Sequence, residues 1–183
     1  MIKNLASFPV RAGNIIIGGN GHISVQTMCN THTQDIEESL RQCVRMGDAG
    51  AELIRLTTQG EPEVEALKEI KKRFRNMGYE IPLVADIHFN ADVAIAAASV
   101  ADKVRINPGN FAREERTATE KLETFLKECK KYGTAVRIGL NHGSLGERIT
   151  STYGDTPLGM KEAAMEWLEK CIACNFYNIV ISL

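Results

Sequence analysis

Apolar and polar positions along the chain follow one rhythm: a short β-branched run, a polar turn, a longer amphipathic stretch, then another run. The runs are HISVQTM (22–28), ELIRLT (52–57), PLVADI (82–87), DKVRIN (102–107), TAVRIGL (134–140) and NIVISL (178–183), each predicting a strand. Between them the periodicity turns helical. In residues 119–133, TEKLETFLKECKKYG, Leu122, Phe125, Leu126 and Cys129 share one face, and Lys and Glu occupy the other. Gly78, Gly133 and the pair Gly47 and Gly50 fall where such helices should end. The small side chains of AIAAASVA (94–101) suit a helix packed close to a sheet. Upstream, NIIIG and HISVQ flank GGNG, which predicts a short β-hairpin within an N-terminal region, residues 1–21.

Near-continuous apolar strands joined by helices predict a parallel sheet under a helical layer, either an open doubly wound sheet or a TIM (β/α)8 barrel. Side-chain parity separates the two. Alternate residues of a strand share a face, so Arg55 points with Thr57, Asp86 with His88, Arg105 with Asn107, and Arg137 with Asn141. The other parity holds Ile54, Leu56, Ile87, Val104, Ile106, Val136, Ile138 and Leu140, which helices should cover. Charged residues at one parity in consecutive strands fit a barrel, whose inner face opens at the carboxyl ends of its strands. The class is therefore α/β, a TIM (β/α)8 barrel of which residues 22–183 supply about the first six βα units. A whole barrel takes roughly 250 residues. With six strand runs, and no helix after the last, the chain is expected to be a fragment of a longer protein.

Composition narrows the partner. The 183 residues are 44% hydrophobic and 25% charged with a net charge of −1, an ordinary globular balance. Without Lys/Arg blocks there is no general attraction to nucleic acid or to a membrane surface, so the expected partner is a small molecule. MIKNLASFPVRAG lacks an apolar leader, and no window approaches the roughly 18 to 20 apolar residues of a membrane span, which points to the cytoplasm. Five cysteines, an odd number, suit reduced thiols better than a disulfide framework.

The candidate chemistry is anion binding. Arg55, Arg105 and Arg137 converge on one mouth, where Asp86 is the visible counter-charge. Guanidinium forks match phosphate oxygens with paired hydrogen bonds, so a phosphate or diphosphate is the natural guest. Asn107, Asn141 and Asn30 add neutral donors and acceptors, and Asp86 with His88 can hold hydroxyls or move a proton. Plainer readings stand beside these: any one arginine can serve a structural ion pair, and His88 can be a satisfied structural histidine. The long, Gly-rich segment NHGSLGERITSTYGD (141–155) reads as a substrate lid. NPGN (107–110) reads as a turn, and CIAC (171–174) as two half-buried thiols rather than a metal site. A Gly-rich nucleotide fingerprint is missing.

VQTMCNTHT, ELIRLT, IPLVADIHF, VRINPGN and VRIGLNHGSLGERI, in this order, resemble the N-terminal barrel of the 4-hydroxy-3-methylbut-2-enyl diphosphate synthase family. The likeness spans nearly the whole chain, and NHGSLGERITSTYGDTPLGM is similar to the three-domain form of plants and some bacteria. The resemblance implies reductive conversion of 2-C-methyl-D-erythritol 2,4-cyclodiphosphate, a step of non-mevalonate isoprenoid biosynthesis. It also implies a [4Fe-4S] cluster held by a C-terminal domain absent from this chain, flavodoxin or ferredoxin as electron donor, and a homodimer when full length. The family's substrate-binding positions fall on Arg55, Asp86, His88, Arg105, Asn107, Arg137 and Asn141, with Asn30 added at the end of the first strand. No catalytic or metal-binding residue is assigned within the chain. The family's catalytic glutamate and a substrate-binding lysine just past Ser182 have no counterpart here, so the fragment alone is expected to be inactive and to bind no cluster. Cys29 departs from the family, many of whose members carry a hydroxyl residue there. Two other readings remain open: a pterin-binding barrel like that of dihydropteroate synthase, and a non-catalytic phosphate-binding module.

Overall fold

The computed structural model describes residues 7–19, 22–111 and 115–183, with side chains from residue 117 onward in the last segment. Two short strands, β1 (Val10–Ala12) and β2 (Ile15–Ile17), form an antiparallel hairpin. Six parallel strands follow in sequential order: β3 (Gln26–Met28), β4 (Leu53–Thr57), β5 (Leu83–Asp86), β6 (Lys103–Ile106), β7 (Ala135–Gly139) and β8 (Ile179–Ser182). The connections carry α1 (Ile36–Asp48), α2 (Glu61–Asn76), α3 (Ala91–Ala97), α4 (Glu115–Tyr132), α5 (Glu147–Tyr153) and α6 (Pro157–Ala173). No helix among the described residues is long and apolar enough to cross a membrane.

Local chemistry explains where these elements begin and end. Asp35 starts α1 by accepting from the Glu38 amide at 3.0 Å, and Thr156 starts α6 by accepting from Gly159 N at 3.1 Å. Gly50, Gly78 and Gly133, just past α1, α2 and α4, take positive φ, as a left-handed helix end requires. The chain then enters the next strand within a few residues.

The sheet separates two apolar layers. On its outer face Ile54, Leu56, Ala85, Val104, Ile106, Val136 and Ile138 pack with helical residues such as Leu67, Ile70, Phe74, Leu122, Phe125 and Leu126 in the main core. On the inner face Leu53, Val84 and Ala135 form a second, smaller cluster with Val10 and Ala12 of the hairpin, joined by Ile15, Ile17 and Val180. The hairpin therefore plugs the amino-terminal end of the concave face. Its placement is pinned where Arg11 N donates to Asn178 Oδ1 and Asn178 Nδ2 donates back to Arg11 O, both at 2.8 Å.

Curvature is shown by one side-chain bond. β3 and β6 are three places apart in the sheet, roughly 14 Å if it were flat. Yet Lys103 Nζ on β6 donates to Gln26 Oε1 on β3 at 2.7 Å, which the sheet permits by curling as a barrel wall does.

Two expectations change. The hairpin exists, but its turn is Gly13-Asn14, where Gly13 has φ of +59°, and β2 pairs back to β1 instead of forward to HISVQ. A two-residue turn with positive φ matches the right-handed twist of the strands it joins. Asn20 and Gly21 of GGNG lie outside the described residues. The first strand run also shortens to Gln26–Met28, leaving Ile23 and Val25 exposed.

Candidate anion-binding site

Register places the inward side chains in rows across the strands. Thr57 pairs with Asp86, Asp86 with Arg105, Arg105 with Arg137 and Arg137 with Val180. One row toward the plugged end, Met28, Arg55, Val84, Lys103 and Ala135 align in the same way. The charged rows thus lie above the hairpin plug, toward the carboxyl ends of the strands, where barrels bind their ligands.

Asp86 is the hub. It is fully buried; its Oδ2 accepts from Arg55 Nη2 at 2.6 Å and lies 3.0 Å from His88 Nε2, while Oδ1 meets Arg105 Nη1 at 3.4 Å. Arg105, 5% exposed, also donates through Nη2 to Gly139 O at 3.3 Å. With the Asn141 amide turned to satisfy both its ends, Asn141 Oδ1 accepts from Arg105 Nη2 at 3.2 Å and its nitrogen donates to Leu140 O at 3.0 Å. Arg137 Nη2 donates to Ser182 Oγ at 2.6 Å.

Asp86 is thus the counter-charge the sequence pointed to, and it is shared. Asp86 serves Arg55 and Arg105 together, because adjacent in-register strands bring both guanidinium groups to one carboxylate. Arg137, one strand further, meets a neutral hydroxyl, that of Ser182, and no carboxylate among the described residues. Burial holds the Arg137 guanidinium below its ordinary pKa, and the neighbouring charges of Arg55 and Arg105 add to the effect. Arg105 shifts the same way, again mainly by burial, although Asp86 opposes it. Arg55 Nε and Arg137 Nε are buried donors that meet no acceptor among the described residues. Leaving a buried donor unsatisfied costs about 1 to 3 kcal/mol, which an incoming anion can relieve.

The remaining candidates sit at the margin. Asn107 is buried; its Oδ1 accepts from Gly109 N at 3.2 Å and its Nδ2 donates to Ser144 Oγ at 3.0 Å, so it braces the turn after β6 against the loop after β7. Asn30 follows β3 and binds Gln42 of α1 twice, through its amide at 2.9 Å and through its side chain. Bonds thus link Arg55, Asp86, His88, Arg105 and Asn141 directly. Arg137 adjoins them by register, and Asn107 and Asn30 stand at opposite sides. A cavity of about 490 Å³ bounded by Thr31, His32, Thr57 and Gln59 opens beside Thr57 at this same end.

Residues 141–155 are more ordered than a free lid. Ser144 O lies so close to Gly109 that a Cβ there would meet it at 1.8 Å, and Leu145, just before α5, and Ile149, within it, are buried in the outer core. Of the CIAC pair, Cys171 is fully buried and Cys174 caps α6; all five cysteines are free thiols.

Sequence reasoning overlooked Lys103, which lies 3% exposed within the concave face. The signal was available, since Lys103 has the same parity as Arg105. Ser182 was likewise unassigned as the partner of Arg137.

Comparison with known proteins follows the same lines. The family described as GcpE TIM-barrel domain matches residues 7–183. A 4-hydroxy-3-methylbut-2-en-1-yl diphosphate synthase (flavodoxin) of Phocaeicola vulgatus is 48% identical over 195 residues, covering 97% of this chain and 32% of that protein. The chloroplastic 4-hydroxy-3-methylbut-2-en-1-yl diphosphate synthase (ferredoxin) of Arabidopsis thaliana is 42% identical over 191 residues, covering 95% and 26%. The chain spans about a third or less of the length of these curated relatives. Among solved structures, dihydropteroate synthase from Stenotrophomonas maltophilia superposes with a TM-score of 0.68 at 16% identity, over 97% of this chain and 65% of that one. DAHP synthase from Thermotoga maritima gives 0.58 at 14%, over 96% and 45%. These structural likenesses show the fold alone.

Proposed function

Since the chain belongs to the GcpE TIM-barrel family, we propose that its concave face is the diphosphate-holding half of a 4-hydroxy-3-methylbut-2-enyl diphosphate synthase. The guest on this reading is 2-C-methyl-D-erythritol 2,4-cyclodiphosphate, converted reductively in isoprenoid biosynthesis. The observation that carries the reading is the charge imbalance within one concave face: Arg55, Arg105, Arg137 and Lys103 against Asp86. Desolvated cations in that excess are costly, and a doubly phosphorylated ligand offsets them.

The residues divide the work. Arg137 and Arg105, side by side in register, offer guanidinium donors to phosphate oxygens. Asp86 holds Arg55, Arg105 and His88 in place, which fixes the donors before the ligand arrives. Asn30, Asn107 and Asn141 line the rim as neutral partners. The described residues do not suit a [4Fe-4S] cluster, because no three His, Cys, Asp or Glu side chains converge among them. We assign the cluster, which supplies electrons when bound, to a part of the full-length protein outside these residues. The relatives named above are flavodoxin- and ferredoxin-dependent, and we propose a donor of that kind, a homodimer and a cytoplasmic setting for the full-length protein.

Calorimetric titration of the full-length protein with pyrophosphate and with the cyclodiphosphate tests the reading. Saturable binding of both, mutually competitive and weakened by Arg137→Ala, is expected. A protein that ignores both and takes up a pterin instead would overturn it.

A further inference from the structure

Among the described residues, Lys103 is a buried charge on the concave face that lies apart from the guanidinium row and its carboxylate. Its ammonium lies one row below the line of Asp86, Arg105 and Arg137, and its bond is to the neutral Gln26 at 2.7 Å. The polar and charged groups that share the concave face with it can be named strand by strand. β3 contributes Gln26, β4 Arg55, β5 Asp86, its own strand Arg105, and β7 Arg137. β8 adds Val180 and the Ser182 hydroxyl that holds Arg137, and the hairpin adds Val10 and Ala12. Asp86 is the sole carboxylate in that set and is already shared by Arg55, Arg105 and His88.

A purely structural role does not need the charge. A glutamine or methionine at this position would fill the same space between the plug and the guanidinium row without desolvating an ammonium among other cations. We propose that Lys103 is the floor charge of the anion clamp, a buried ammonium beneath the guanidinium row that adds to the potential holding a doubly charged anion from below. The proposal rests on the anion-binding reading given above and deepens it by one residue.

The geometry has a titration consequence. Burial, with Arg137 and Arg55 nearby, pulls the Lys103 pKa down from its ordinary value to about 8. An anion that uses the ammonium must raise that value again, and by linkage each unit of rise equals about a tenfold gain in affinity for the protonated form. Anion affinity therefore falls as pH climbs through the free-protein pKa.

The test uses the full-length protein and sulfate, whose charge is constant over the window, titrated from about pH 7 to about pH 10. Wild type should lose about tenfold in sulfate affinity across it. Lys103→Met should bind about tenfold more weakly at neutral pH, lose the inflection, and melt higher than wild type without ligand. Lys103→Arg, whose charge is permanent in this range, should keep neutral-pH affinity and show no inflection. The Cys29 thiol, lowered chiefly by its hydrogen bond with Cys43, packs in the outer core and is unchanged in both variants, so an inflection persisting in Lys103→Arg would belong elsewhere and overturn the proposal. A flat wild-type profile, or Lys103→Met binding like wild type, overturns it as well. If Lys103→Met fails to fold, the wild-type and Lys103→Arg profiles still decide. Wild type that binds neither sulfate nor pyrophosphate at any pH removes the underlying clamp, which is a separate failure.

Discussion

Asp86 and Arg55 meet at 2.6 Å, from adjacent strands and offset by one register row, with the carboxylate fully buried and the guanidinium mostly so. Its other oxygen faces Arg105. Asp86→Asn would leave two guanidinium groups without their carboxylate and loosen His88. Removing one partner of a buried ion pair commonly costs about 3 to 5 kcal/mol. Urea denaturation should show a loss of that size, and pyrophosphate should restore more stability to the variant than to wild type, because it replaces the missing charge.

Arg137 behaves differently. It donates to the Ser182 hydroxyl, and its Nε meets no acceptor among the described residues. Arg137→Ala should therefore change folding stability by no more than about 1.5 kcal/mol. Pyrophosphate affinity should fall by about 2 kcal/mol or more, some thirtyfold. A variant that unfolds easily but binds normally would reverse these roles.

Gly139 gives Arg105 its room. A Cβ at that position would meet Arg105 Nε at 2.5 Å, and the glycine's own carbonyl accepts from Arg105 Nη2. The flexible end of Arg105 can shift, so Gly139→Ala should fold, with an overpacking cost of about 1 to 3 kcal/mol. The displaced guanidinium should weaken pyrophosphate binding by about tenfold, read by calorimetry. Lys103→Arg is no rescue here, whereas restoring glycine is.

The pH dependence of stability follows from Lys103. The unfolded side chain holds its proton to about 10.5, the folded one only to about 8. Between those values the unfolded state binds more protons, so the contribution of Lys103 to stability rises with pH across that window. Below it the penalty is at full size, on the order of 3 kcal/mol. Lys103→Met should be more stable than wild type by up to that amount near neutrality, and the gap should close toward pH 10.5. Above about 9 the buried thiols of Cys129 and Cys171, both raised by burial, Cys171 to about 12, make stability fall with pH. That loss is common to both proteins and cancels in their difference.

Strand alternation was legible from the residues alone. Period two is a property of the local backbone, so the common face of Arg55, Asp86, Arg105 and Arg137 could be read from spacing, as could the helix-facing positions Ile54, Val104, Val136 and Ile138. Lys103 obeys the same rule, two residues before Arg105, but spacing alone does not say that an ammonium at the start of a strand stays buried. Helix ends at Gly50, Gly78 and Gly133 were readable for a similar local reason, since positive φ favours glycine.

Other features depended on contacts between distant residues. Nothing local says that Gln26 lies within reach of Lys103, because that distance depends on how far the sheet curls. The turn at Gly13-Asn14 prevailed over GGNG because β2 packs its isoleucines beneath Leu53, Val84 and Ala135 only when it folds back on β1. The 141–155 segment looked like a lid by its glycines, yet Leu145 and Ile149 bury themselves in the outer core and make it part of the wall. Sequence by itself determined which side chains face inward, since each residue's neighbours along the strand dictate that choice. Tertiary structure alone decided which of them share the single carboxylate, since inter-strand register and curvature are set by packing across the whole sheet.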